Sequence, residues 1–169
     1  ALLSLYARHG DAFYDYLEYR REQEAFAARL AASRATSADC DRLRSILEDM
    51  QKAWSDDDHE ASRDADFRLH AAVVDASQNT MLIHMMASIY DLTRQGVFYN
   101  RDFLRSMDGS GKHLLDQHVE LANAILDGDP ERAERAARDH MDFVERSFRT
   151  GLEQQRRENL ALKRKILSP

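Results

Sequence analysis

Apolar residues recur with a 3.6-residue period along nearly the whole of this 169-residue chain, and only two prolines and six glycines interrupt the pattern. Strand-like alternation is hard to find. That period belongs to helices that bury one face, so the chain is expected to be all-α. At this length one domain can enclose a real core. Apolar residues at 43% and charged residues at 32% are the balance of an ordinary globular protein.

Stop and start signals divide the pattern into six main helices, or seven if the fourth is broken. The first spans about Asp11 to Ser33, with Phe13, Leu17, Ala27, Ala28 and Ala31 inward. Thr36 and Ser37 offer N-caps for a second helix that runs to about Trp54. The acidic run before His59 starts a third, about Asp58 to Ser77, because carboxylates suit a helix N-terminus. Asn79 ends that helix or restarts the chain, and a fourth, rich in Met81, Leu82, Met85, Met86 and Ile89, begins near Thr80. Its methionine stripe reads as adaptable core. Asp108 to Gly111 is the clearest loop, and the fifth helix then runs to about Asp127. Gly128 closes it, Asp129 caps the sixth, and Pro130 suits a first turn. Residues 154 to 165 form a mostly polar helix end.

Several polar residues fall on the apolar stripes. Asp66 and His70 are four residues apart, which places their Cβ atoms roughly 5–6 Å apart on one helix face. Such a pair can grip one metal ion or simply share a hydrogen bond. His118 and His140 lie on the inward stripes of the fifth and sixth helices. A lone inward histidine is usually a satisfied core residue; three that converge beside an acid would make a His₃Asp donor set. Periodicity cannot show convergence. His59, His84 and His113 fall on polar faces and read as solvated. On the first helix Arg20 and Glu24 share the inner stripe, either as an ion pair at the edge of the core or with Arg20 aimed at an anion in a polar cavity.

Other chemistry is excluded. The single cysteine, Cys40, rules out an internal disulfide and a cysteine-cluster zinc site. A net charge of −6 argues against this chain gripping a phosphate backbone by itself. No apolar run is long enough to suggest a membrane span. Glu-x-x-His motifs of di-metal carboxylate bundles, phosphate loops, dinucleotide fingerprints and nucleophile elbows are all missing from the sequence.

The stretches EYRREQEAFAARLAA, DADFRLHAAVVDASQN and HVELANAILDGDPERAERAARDHM, which come in that order, resemble the FCD domain. This is the C-terminal effector-binding domain of FadR-type regulators in the GntR family. The resemblance implies an antiparallel bundle of six to seven helices around a central metal and ligand pocket. It implies a single divalent transition metal ion, with zinc placed first and nickel or manganese next, on Asp66, His70, His118 and His140. Arg20 matches an anion-facing arginine of the family, with Asn79 and Arg94 as further pocket residues. A small organic acid such as lactate, pyruvate or glycolate would be the effector, and the chain would be a cytoplasmic homodimer with no enzymatic activity. Operator DNA would be read only by an N-terminal winged helix-turn-helix that this chain lacks. Residues 1–10 would then be the entry segment from that domain, 11–152 the effector domain and 153–169 a polar C-terminal helix end. Two rivals stand beside this reading: a metal-dependent hydrolase using the His₃Asp site, and a structural bundle tied together by its metal.

Overall fold

The computed structural model describes residues 12–94 and 110–167, with side chains described over 12–91 and 111–160. Among these residues the chain is all-helical: α1 (Ala12–Arg34), α2 (Ser37–Ser55), α3 (His59–Ala76), α4 (Thr80–Arg94), α5 (Ser110–Leu126) and α6 (Pro130–Leu167). The expected entry segment 1–10 and the start of the Asp108–Gly111 loop lie outside the described residues. The other end of that loop is corrected, because α5 already begins at Ser110. Gly111 is helical, and a Cβ there would come within 3.1 Å of the Trp54 ring.

Side-chain caps set the helix starts. Thr36 and Asp39 form a reciprocal capping box on α2: Asp39 N–H donates to Thr36 Oγ1 at 3.2 Å, and Thr36 N–H to Asp39 Oδ2 at 2.8 Å. Asp58 accepts from Ala61 N–H at the start of α3, and Asp129 from Arg132 N–H at the start of α6, both at 3.0 Å. Asn79 begins α4 by accepting the Leu82 N–H at 3.2 Å. The tight turns before α3, α4 and α6 each use one left-handed residue: Asp57, Gln78 and Gly128. Only the last has no Cβ to strain there.

Packing is most extensive between α1 and α6 and between α2 and α3. Alanines make the first contact close: Ala25, Ala27, Ala28 and Ala31 on α1 and Ala133, Ala136 and Ala137 on α6 are buried in the main apolar cluster. A second cluster gathers Tyr16, Leu17, Leu114, Met141, Val144 and Phe148. Between these two sets, reading along α1, α5 and α6, come Arg20 with Glu24, His118 and His140. The helices therefore carry a polar layer at one level of an otherwise apolar interior. The methionine stripe of α4 is split. Leu82, Met86 and Ile89 are buried, whereas Met81 is 72% and Met85 51% exposed. Met81 and Met85 are one turn apart on the outer face, and the even run of apolar residues hid which side faced in.

Candidate metal centre

Besides Arg20 and Glu24 of α1, three helices supply the polar layer. From α3 come Asp66 and His70, from α5 His118 and from α6 His140, all buried. The three imidazoles converge, each offering a ring nitrogen within 4.8 Å of the others. Ring centroids lie 5.3 Å apart for His70–His118, 5.3 Å for His70–His140 and 4.4 Å for His118–His140. Asp66 Oδ1 stands 3.1 Å from His118 Nε2 and 3.9 Å from His70 Nε2. The carboxylate thus leans toward the histidine on the neighbouring helix more closely than toward its own.

Two oxygens engage these rings from behind. Glu24 Oε2 sits 2.8 Å from His70 Nδ1, and Gln117 Oε1 lies 3.2 Å from His140 Nδ1. Glu24 is tied through its other oxygen to Arg20, whose Nε donates at 2.6 Å and whose Nη2 lies 2.5 Å away. Arg20 also donates to the Tyr16 hydroxyl at 3.3 Å and lies 5.7 and 5.6 Å from the Tyr16 and Tyr90 ring centres, within reach of a cation–π contact. Arg20 and Glu24 are 5% and 4% exposed, so the ion pair belongs to the interior rather than its edge.

Burial and charge set the protonation states. Burial raises the Glu24 carboxyl, but Arg20 and His70 outweigh it and hold Glu24 well below the usual carboxylate range. Burial, reinforced by the like charges of His118 and His140's other neighbour His70, lowers His140 well below the ordinary histidine value. A neutral imidazole keeps the lone pair a metal needs. Tyr90 is pushed up by burial and then by the charge of Glu24, which keeps its phenol protonated.

The donor set fits a divalent transition metal. Imidazoles with one carboxylate are ligands such ions accept. Zinc–nitrogen bonds of about 2.0–2.1 Å put two donors of a tetrahedral ion roughly 3.4 Å apart, and the three ring nitrogens lie within 4.8 Å of one another. Beside the rings is a cavity of about 10 Å³ lined in part by Arg20, Asp66, His70, Tyr90 and His140. It has room for roughly one water-sized group.

The other expected site residues fare differently. Arg20 borders the cavity. Asn79 is half-buried and capping α4, and it is not among the cavity's lining residues. The Arg94 side chain lies outside the described residues. His59, His84 and His113 are exposed. Sequence reasoning did not single out Tyr90 or Gln117 for the site. Gln117 falls off the apolar stripe, and only its place beside His118 hinted at it.

The FCD domain model matches residues 15–143. Two similar curated relatives are the putative L-lactate dehydrogenase operon regulatory protein of Escherichia coli (strain K12) and the HTH-type transcriptional regulator LutR of Bacillus subtilis (strain 168). The first is 31% identical over 156 residues, 92% of this chain and 59% of the relative. The second is 35% identical over 130 residues, 76% of this chain and 58% of the relative. The chain thus spans just under three-fifths of the length of these relatives. Among solved structures, E. coli McbR/YncC matches with a TM-score of 0.66 at 19% identity, covering 83% of this chain and 64% of that one, a likeness of fold.

Proposed function

This chain belongs to the FCD domain family, and on that footing we propose that it is the effector-binding and dimerisation domain of a GntR-family transcriptional regulator of the FadR type. It senses a small organic acid at a metal-containing pocket on Asp66, His70, His118 and His140. Its matched relatives are named as operon or transcriptional regulators rather than as enzymes, so the hydrolase alternative is set aside. Reading operator DNA falls to a domain outside this chain. Among the described residues no helix is long and apolar enough to cross a membrane, in keeping with a cytoplasmic regulator.

The observation that carries this reading is one cavity bordered both by metal-type donors and by a buried guanidinium. A bound divalent ion would supply a Lewis-acid anchor for a carboxylate or hydroxyl oxygen. Arg20 would hold the other end of the acid, as a planar donor fork suited to carboxylates. Tyr90, Phe67, Met141 and Val144 supply apolar walls that keep bulk water away. The cavity is too small for a lactate-sized molecule as it stands. Such an acid enters only if α1, α3, α4 and α6, which line the cavity, shift against one another. Occupancy therefore favours one arrangement of the bundle over another, which is what an effector must do to change a partner domain.

The test is calorimetric titration of L-lactate, pyruvate and glycolate into the zinc-loaded protein, followed by operator binding of the full-length regulator with and without the acid that binds. Binding that is lost in Arg20→Gln and in His118→Ala, together with a changed operator affinity, is the expected result. An acid that bound tightly yet left operator affinity untouched would sink the reading.

A further inference from the structure

Glu24 is a buried carboxylate on α1, a helix that brings no histidine to the centre. We propose that Glu24 is a positioning residue for the metal centre: its Oε2 fixes the His70 ring with Nδ1 protonated and Nε2 bare toward His118 and His140. This rests on the reading that the three histidines hold a metal.

Hydrogen-bond capacity sets the tautomer of His70. An ionised carboxylate can only accept, and a neutral imidazole has one N–H and one lone pair. With Glu24 Oε2 2.8 Å from Nδ1, the proton belongs on Nδ1 and the lone pair on Nε2. The orientation of the carboxylate is itself secured, because Arg20 holds Oε1 through Nε and Nη2 at 2.6 and 2.5 Å. Glu24 is 4% exposed, so water has little access to replace it. The arrangement also recurs, since Gln117 presents Oε1 to Nδ1 of His140 at 3.2 Å. Two of the three rings are therefore gripped from behind at the same atom, one by a charged group and one by a neutral group. Outer partners of this kind orient a ligand and raise its basicity, and losing them commonly costs about 10–100-fold in metal affinity.

Two double variants isolate the acceptor from the charge. Arg20→Met/Glu24→Gln and Arg20→Met/Glu24→Leu both remove the buried ion pair as a unit, and they differ in whether residue 24 can accept a hydrogen bond from His70. Long-range proton–nitrogen NMR on metal-free, ¹⁵N-labelled protein reads the His70 tautomer. Competition with a chromophoric chelator reads zinc affinity, and cobalt substitution reads ligand geometry by its visible spectrum. The wild type and the Gln variant are expected to show Nδ1-protonated His70, and the Leu variant a mixture of tautomers. Zinc affinity falls about 10-fold in the Gln variant and about 100-fold in the Leu variant, with an altered cobalt spectrum only in the latter. Gln117→Leu, at a half-buried position, gives a loss of about 10-fold or less. Nε2-protonated His70 in the wild type, or zinc affinities within about threefold between the two double variants, would overturn the inference while leaving the metal reading intact. A wild type that binds neither zinc, nickel nor manganese overturns both, and is recognised before any variant is compared.

Discussion

Arg20 and Arg21 are neighbours on α1, yet they meet opposite surroundings. Arg20 turns inward to Glu24, with side chains 6% and 5% exposed. Arg21 turns outward to Asp142 on α6, with side chains 30% and 32% exposed. Both are close arginine–carboxylate pairs; Arg21 donates from Nε at 2.6 Å and from Nη2 at 3.1 Å, a bidentate grip. The outer pair joins two helices across the surface, and Glu22, bound by both Arg21 and Arg138, extends it into a small network. The inner pair joins one turn of a helix to the next and by itself ties no helices together. Taking two charges out of water for so local a bond is expensive. What justifies the inner pair is its third member, His70, reached through the free oxygen of Glu24. Identical chemistry serves as a clip on one face of α1 and as part of a site on the other.

The sharpest way to break this contrast is to remove one partner from each pair. Glu24→Ala leaves Arg20 buried without its carboxylate and should cost about 3–5 kcal/mol in urea unfolding of the metal-free protein. A loss below about 1 kcal/mol would mean that the interior tolerates the lone cation and that the two pairs are energetically alike. Next in size is the outer pair. Arg21→Ala and Asp142→Ala should each cost under about 1 kcal/mol, and a double-mutant cycle should return a coupling of about 0.2–1 kcal/mol that shrinks in high salt.

The smallest effect is on acid stability. The Arg21 hydrogen bond outweighs partial burial and lowers the Asp142 carboxyl below its ordinary value. A carboxyl with a folded pKa below its unfolded one contributes stability above the unfolded value, near about 4, and that contribution is lost as the pH falls through the folded value. Asp142→Asn should therefore lower stability slightly at pH 7 and flatten its decline below pH ~4. Parallel acid melts of wild type and variant would check this, and unchanged steepness would show that the outer pair carries no pH dependence.

Much of this fold could be read from local signals. Thr36, Asp58, Asp129 and Gly128 mark helix ends through bonds that span only a few residues. The 3.6 period likewise placed His70, His118 and His140 among buried faces. Periodicity failed where a helix is apolar on both sides, so it could not tell exposed Met81 and Met85 from buried Leu82 and Met86. It also says nothing about the relative height of two helices. The approach of Asp66 to His118, of Glu24 to His70 and of Gln117 to His140 depends on that register, fixed by packing between α1, α3, α5 and α6. Arg20 and Glu24 illustrate both sides. Their spacing announced a pair, and only the fold revealed how deeply it lies and what else it touches.

Because Glu24 lies one turn from Arg20 and within 2.6 Å of it, any anion that reached the guanidinium would meet a competitor already in place. A carboxylate tethered one turn away needs no encounter from solution, so a simple anion must displace a bound partner to reach the guanidinium. Under the proposed function, an acid that also took a second anchor on the metal-type donors would be better placed to displace it. The first helix would then set a threshold that disfavours simple anions relative to chelating ones.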